Sequence, residues 1–278
     1  MYRYVVTDVF TSTPLGGNPV AVFTDARGIA PTRMQQIARE FNLSETVFVL
    51  PADGDGDARV RIFTPAAELP FAGHPVLGTA VVLSQPTDAG TIRLETGAGL
   101  IDVGLTRENG RVSGGRMRQP IPVWQPYQQA SDLLAALGVT SSELPVEAYR
   151  NGPRHVYVAL ASAQAVAALR PDITALAAMA GIGAVCFAGA GSRWKARNFA
   201  PALGVPEDPA TGSAAGPLAV HLARHGRIAF GQEIEISQGT EIGRPSTLHA
   251  RVNGDGDRID SVEVAGPAVI VARGEFDA

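Results

Sequence analysis

Short runs in which apolar and polar residues alternate, separated by glycine and proline turns, dominate the chain. Residues 2–10 (YRYVVTDVF) alternate in this way and are rich in β-branched and aromatic types, which predicts a strand. In TSTPLGGNP, which follows, Gly16 and Gly17 can take dihedrals closed to other residues, so a tight loop is expected. The same pattern predicts strands at 21–23, 46–50, 59–63, 91–95, 100–105, 146–150, 155–160, 184–187, 193–199, 234–237, 247–252, 259–264 and 268–272, with another leading out of 114–117. Helical spacing is rarer. Pro31 stands at a first helical position and Met34, Ile37, Ala38 and Phe41 follow at the helical period, predicting a helix over 31–41 that ends near Asn42. Short helices are expected at 131–137, closed by Gly138, and at 163–169 and 173–179, separated by Pro171. A buried helix of apolar and small residues is predicted over 74–83, ending near Ser84 and Pro86, and a second small-residue helix over 213–225, stopped by Gly226. Strands that alternate with turns rather than with crossover helices do not fit a doubly wound nucleotide fold; they predict two α+β domains, each with a buried helix.

A repeat supports that division. FTPAAELPFAGHPVLGTAVVL, from Phe63, recurs as FAPALGVPEDPATGSAAGPLAVHL, from Phe199. Both copies read Phe-x-Pro-Ala, then a proline seven residues after the phenylalanine (Pro70, Pro206), then a glycine and a helix, with three more residues in the second loop. QPIPVWQPY, with three prolines in nine residues, reads as a linker or crossing segment and places the domain boundary around 118–128.

Charge narrows the partners. With 23 basic and 27 acidic side chains the net charge is -4, which provides no general field for phosphates and argues against nucleic acid. The single cysteine, Cys186, lies in the apolar run GAVCFAG; it excludes an internal disulfide and a thiolate metal cluster and reads as a core residue. Neither a signal peptide nor an apolar run of roughly 20 residues is visible, so a cytoplasmic protein is expected.

The candidate chemistry gathers at the repeat. His74 follows Gly73 at a helix start, where free backbone N–H groups and the helix dipole favour an anion; it is an acid, a donor, or an ordinary cap. Gly212 and Ser213 stand at the matching place, preceded by Thr211. Ser213 lacks a nucleophile-elbow context, so holding an anion suits it better than attack, with plain capping as the alternative. Asp208 lies in the longer second loop, positioned to deliver a carboxylate between the halves or simply to make a turn before proline; Glu207 beside it reads as solvated. Ser44 and Glu45, in NLSET, lie at the mouth of a strand. A carboxylate held in a closed cleft there could move protons between carbons, while a surface glutamate is the commoner event. His221 and His225 are four apart on one helix, but no hydrolytic glutamate stands between them and no third ligand is indicated, so no metal is expected. GAGSRWKAR reads as a turn with a basic face, and no flavin, pyridoxal or nicotinamide signature is present, so no cofactor is expected.

DVFTSTPLGGNPVAVF, IAREFNLSETVFVL, RIFTPAAELPFAGHPVLGTA, NGPRHVYV, CFAGAGSRWKARNFAPALGVPEDPATGSAAGPLAVHLARHG and QGTEIGRPS together resemble the PhzF family of phenazine-biosynthesis isomerases along nearly the full chain. The resemblance implies the diaminopimelate epimerase-like fold: two pseudo-symmetric domains, each a curled, mostly antiparallel sheet around a central helix, with the active site between them. The first domain would comprise 1–118 and about 265–278, the second 128–264, and the chain would form a homodimer. Related epimerases use two cysteines as acid and base; here Ala72 and Ser213 occupy those loops, which disfavours paired-thiol racemisation. The reaction implied is isomerisation of trans-2,3-dihydro-3-hydroxyanthranilate, a small anionic cyclic acid, to an aminooxocyclohexene carboxylate. By matching motif, Glu45 would carry the proton from C3 toward C1, His74 and Asp208 would contact the amino and hydroxyl side, and Ser44, Gly73, Gly212 and Ser213 would bind substrate. The alternatives are a related cofactor-independent isomerase or epimerase acting on another small carboxylic acid, or a non-catalytic small-acid binding protein.

Overall fold

The two halves of the chain repeat one order of strands around a central helix, the second opening with an extra strand and helix and carrying two short helices where the first carries one. In the computed structural model, which describes residues 1–85, 87–179 and 181–277, the first half contains β1 (Tyr2–Val9), β2 (Asn18–Phe23), α1 (Pro31–Phe41), β3 (Glu45–Leu50), β4 (Ala58–Phe63), β5 (Glu68–Leu69), α2 (Gly73–Ser84), β6 (Thr91–Thr96), β7 (Gly99–Glu108) and β8 (Arg111–Gln119). The second contains β9 (Val123–Pro126), α3 (Ala130–Leu137), β10 (Glu147–Arg150), β11 (Arg154–Ala159), α4 (Ala163–Ala168), α5 (Ile173–Ala177), β12 (Gly183–Ala190), β13 (Arg193–Ala200), β14 (Val205–Asp208), α6 (Gly212–Arg224), β15 (Glu233–Gln238), β16 (Ser246–Asp255) and β17 (Arg258–Phe276).

The pairings repeat as well. β1–β2 is antiparallel, β2–β3 parallel, β3–β4 and β4–β5 antiparallel, β4–β6 parallel, and β6–β7–β8 antiparallel. The second half follows the same sequence through β10–β11, β11–β12, β12–β13, β13–β14, β13–β15 and β15–β16–β17. β17 then joins the halves: Val262 to Pro267 pair with β8, and Ala268 to Phe276 pair with β1.

The central helices are apolar on every side because they are surrounded. All of α2 except Leu83, and all of α6 except Arg224, is buried, and both lie in one core cluster that also takes in β-strands of both halves. α1 packs outside the first sheet with Phe23, Phe48 and Phe63, while α3, α4 and α5 cover the second with Val156, Val158, Cys186 and Phe199. Burying these faces supplies the main favourable term for folding.

The structure corrects the expected elements at several points. The strands expected at 259–264 and 268–272 are one continuous strand, β17, and the proline-rich connection is not merely a linker, since β9 within it pairs with β10. The end of the buried helix near Pro86 falls partly outside the described residues. Glu207 is not solvated: it takes two hydrogen bonds from Arg197, at 2.8 and 2.7 Å, and Arg197 is itself buried. Lys195 pairs with Glu241 at 2.7 Å, so the supposed basic face of GAGSRWKAR is largely neutralised.

Candidate active site

The N-termini of α2 and α6 meet head to head, and two glycines make that approach possible. A β-carbon on Gly73 would lie 2.5 Å from the Gly212 carbonyl carbon and 2.6 Å from the Ser213 nitrogen, and one on Gly212 would lie 2.9 Å from the His74 nitrogen. First-turn N–H groups of both helices therefore converge, an arrangement that favours an anion. Ser213 is buried, and its Oγ lies 3.1 Å from His155 Nε2.

Glu45, His74 and Asp208 are brought together at this junction. Glu45 opens β3, with its side chain only 13% exposed, so it is not a surface glutamate; its Oε2 lies 3.4 Å from Nε2 of the buried His74. Asp208 ends β14, and its carboxylate accepts from Asn18 Nδ2 at 2.8 Å, Ser44 Oγ at 3.0 Å and Thr211 Oγ1 at 2.6 Å. Ser44 thus spends its hydroxyl hydrogen on Asp208. Asn18 gives its second amide hydrogen to the Ala210 carbonyl at 2.9 Å, which leaves none for His74 Nδ1 at 3.2 Å.

Burial sets the protonation states. It pushes the Glu45 carboxyl well above the ordinary range, and the Asp208 charge adds to the effect. Burial also raises Asp208, to about 6, against the three hydroxyl and amide donors that favour its ionised form. His74 is lowered to about 3 by burial, so at neutral pH it faces Glu45 as a neutral imidazole and the two do not form an ion pair. Both carboxyl groups are therefore harder to ionise than a carboxyl in water.

Several supporting residues carry no local sequence signal. Gln238 clamps the Asp208 loop, donating to the Asp208 carbonyl at 2.8 Å and to Thr211 Oγ1 at 3.0 Å. Arg244 reaches from the QGTEIGRPS segment to Asp8 at 2.7 Å and to the Gly16 and Gly17 carbonyls, tying the second half to the loop that leads into Asn18. The buried Phe10 holds a φ of 65°, uncommon for a bulky residue, and its ring packs beside Gly212. An amide or guanidinium bonding over so long a stretch of chain has no periodicity by which to be found; only the polar types at the start of β2 and in QGTEIGRPS offered a hint.

The buried Cys186 thiol is pushed up to about 12 by its apolar surroundings, which keeps it protonated and unreactive. Glu147, His221 and His225 form a cluster able to offer three metal ligands, so the expectation that no third ligand accompanies the two histidines is incorrect. Glu147 Oε2, however, also accepts from Arg224 at 2.8 Å and Tyr149 at 2.9 Å, and the guanidinium competes for the position a cation would need. A cavity of about 310 Å³ lined by Pro19, Ser44, Pro206, Glu207 and Arg244 opens beside the Asp208 loop. Another of about 520 Å³ lies at the far end of α2, among Val49, Leu83, Ser84 and Thr87, away from the buried carboxyls.

Residues 7–274 match the family model described as phenazine biosynthesis-like protein. The chain is 56% identical over 274 residues to the trans-2,3-dihydro-3-hydroxyanthranilate isomerase of Pseudomonas aeruginosa, covering 99% of each chain. Among solved structures it is similar to a predicted epimerase of Pseudomonas aeruginosa, with a TM-score of 0.84 and 31% identity over 99% of both chains. A phenazine biosynthesis protein of the PhzF family from Bacillus anthracis has the same fold, with a TM-score of 0.85 at 24% identity, covering 100% of this chain and 99% of the other. Among the described residues, no helix is long and apolar enough to cross a membrane.

Proposed function

The chain belongs to the phenazine biosynthesis-like family, and from that premise we propose that it isomerises trans-2,3-dihydro-3-hydroxyanthranilate to an aminooxocyclohexene carboxylate. Its α+β fold is the diaminopimelate epimerase-like one, and the chain is an isomerase. The substrate assignment rests on the 56% identity to the Pseudomonas aeruginosa isomerase, and the observation that carries the proton transfer is the convergence of Glu45, His74 and Asp208, from three separate elements, where two helix N-termini meet.

The ionised Glu45 takes the proton from C3 of the ring, the electron pair moves through the conjugated system, and the same carboxyl returns the proton at C1, which leaves an enol at C3; its hydroxyl hydrogen then passes to the neighbouring C4, turning the enol into the oxo group of the product. Atoms and oxidation level are unchanged, so no redox cofactor is called for. A desolvated carboxylate is a stronger base than one in water, which suits a carbon acid. His74, neutral, and Asp208, held by three donors, face the amino and hydroxyl side and steer reprotonation. The N–H groups of Gly73, Gly212 and Ser213 hold the substrate carboxylate, where fixed donors act at low cost. Ser44 contributes through Asp208. The same reading takes residues 1–118 with about 265–278 as one domain and 128–264 as the other, with the site between them, in a cytoplasmic homodimer.

Proton NMR of the protein with trans-2,3-dihydro-3-hydroxyanthranilate in deuterated buffer tests the assignment. The hydrogen at C1 should be the one removed from C3, label should enter the ring carbon that is protonated as the enol becomes a ketone, and Glu45→Gln should lower the rate by about 10²- to 10⁴-fold, the usual worth of a positioned acid/base. Failure of the folded native protein to consume this acid would leave a related isomerase of another small carboxylic acid.

A further inference from the structure

The registers of the two halves align residue by residue. Thr46 pairs with Phe63, and Ala184 pairs with Phe199, the phenylalanines that open the repeat. Glu45 and Gly183, each one position earlier and each opening its strand, are therefore counterparts, as are His74 and Ser213, which each follow the glycine that opens a central helix. On the neighbouring parallel strands Val20 pairs with Glu45 and His155 pairs with Gly183, so Val20 and His155 are counterparts too. Between the halves the polar side chain has changed strands: valine beside glutamate in one, histidine beside glycine in the other.

The exchange is enforced sterically. A β-carbon on Gly183 would lie 2.8 Å from His155 Nδ1 and 2.8 Å from Asn198 Oδ1, so the ring occupies the space that a second carboxylate would enter. His155 is buried, its Nε2 lies 3.1 Å from Ser213 Oγ, and its Nδ1 has no hydrogen-bond partner among the described residues. An imidazole buried in this way, with a single directed contact, does little for the fold that an apolar ring would not do better.

We propose that His155 is a positioning residue which, through Nε2, fixes the Ser213 hydroxyl so that it donates to the substrate carboxylate. The inference rests on the proposed isomerisation. Ser213 must then accept from His155 Nε2–H in order to give its own hydrogen to substrate, which makes Nδ1 the unprotonated nitrogen. Burial, which lowers the ring to about 4, keeps it neutral at physiological pH, so it supplies this one donor without placing a charge beside the substrate. With glycine in the counterpart position, the second half offers no carboxylate there, and proton transfer is left to Glu45.

The test is a double-mutant cycle of His155→Ala and Ser213→Ala, with His155→Gln as the conservative variant, read as kcat and KM with trans-2,3-dihydro-3-hydroxyanthranilate. Each single alanine variant should lower kcat/KM by about tenfold or more, as expected for a lost hydrogen bond to a charged group, chiefly through KM. The double variant should be no worse than Ser213→Ala alone. His155→Gln, whose amide can present an N–H near the place of Nε2, should recover most of the loss, and label should enter the same carbon in every variant. Multiplicative losses, or an unchanged KM in folded His155→Ala, would overturn the proposal. Should that variant not fold, His155→Gln against His155→Gln/Ser213→Ala carries the same comparison. If the native protein does not turn over this acid, the cycle is read by calorimetry with 2-aminobenzoate. Coupling there sustains the His155 role while the substrate assignment fails, and absent binding or absent coupling overturns it.

Discussion

Glu45 and Asp208 share one buried site but not one set of neighbours. Three donors converge on Asp208, and Glu45 has only the neutral His74 nearby, so Glu45 is the carboxyl that pays more to ionise. Asp208→Asn removes the negative charge that helps to raise Glu45. Glu45 then ionises at lower pH, and the acid limb of the kcat/KM profile should move to lower pH; a limb that stays in place or moves upward would show that the two carboxyls do not interact. At this scale the sequence was partly legible. His74, Asp208 and Ser213 stood out because they sit beside glycines or in a repeated loop, and Glu45 because it stands at the mouth of a strand just after a helix. Asn18, Gln238 and His155 did not, because each acts on a residue distant in the chain, and a buried amide or imidazole reads like any strand residue until the sheet is assembled.

Among elements, the two central helices were the most legible and β17 the least. An all-round apolar run opened by glycine can only be a buried helix, and the head-to-head contact explains why glycine opens both. Gly73→Ala would place a β-carbon against the backbone of α6 with no flexible side chain to yield, so the helix ends must part. We expect it to lower stability by about 1–3 kcal/mol, measured by urea unfolding, and to reduce activity together with it. In β17 the pair Gly266-Pro267 reads as a break. It stands where the strand exchanges β8 for β1, since Pro267 is the last residue paired with β8 and Ala268 the first paired with β1, so the proline falls at the junction of two ladders. β9 escaped notice for a similar reason: the prolines in front of it and at its end hide a short strand beside β10.

For the molecule as a whole, two similarly built halves were legible from the repeat of Phe-x-Pro-Ala, a later proline and a glycine-led helix, whereas the way one half packs on the other was not. Packed together, the halves bury His74 and Asp208 and leave the Glu45 side chain only 13% exposed. Ile121 at 49% and Val123 at 59% exposure stand singly on the connecting segment, which is ordinary for a protein surface, so the proposed homodimer rests on the family resemblance. Sedimentation equilibrium at micromolar concentration should return twice the chain mass, and a monomer throughout would remove the dimer from the reading.

The path of β17 also bears on how the protein is made. β1 leaves the ribosome before β2 to β16, yet one of its two ladders is completed by Ala268 to Phe276, in β17, which follow them all. During translation the earliest-made half therefore waits with an unpaired strand edge, open to pairing with other nascent chains, while the later half is synthesised. The half that is begun first is finished last.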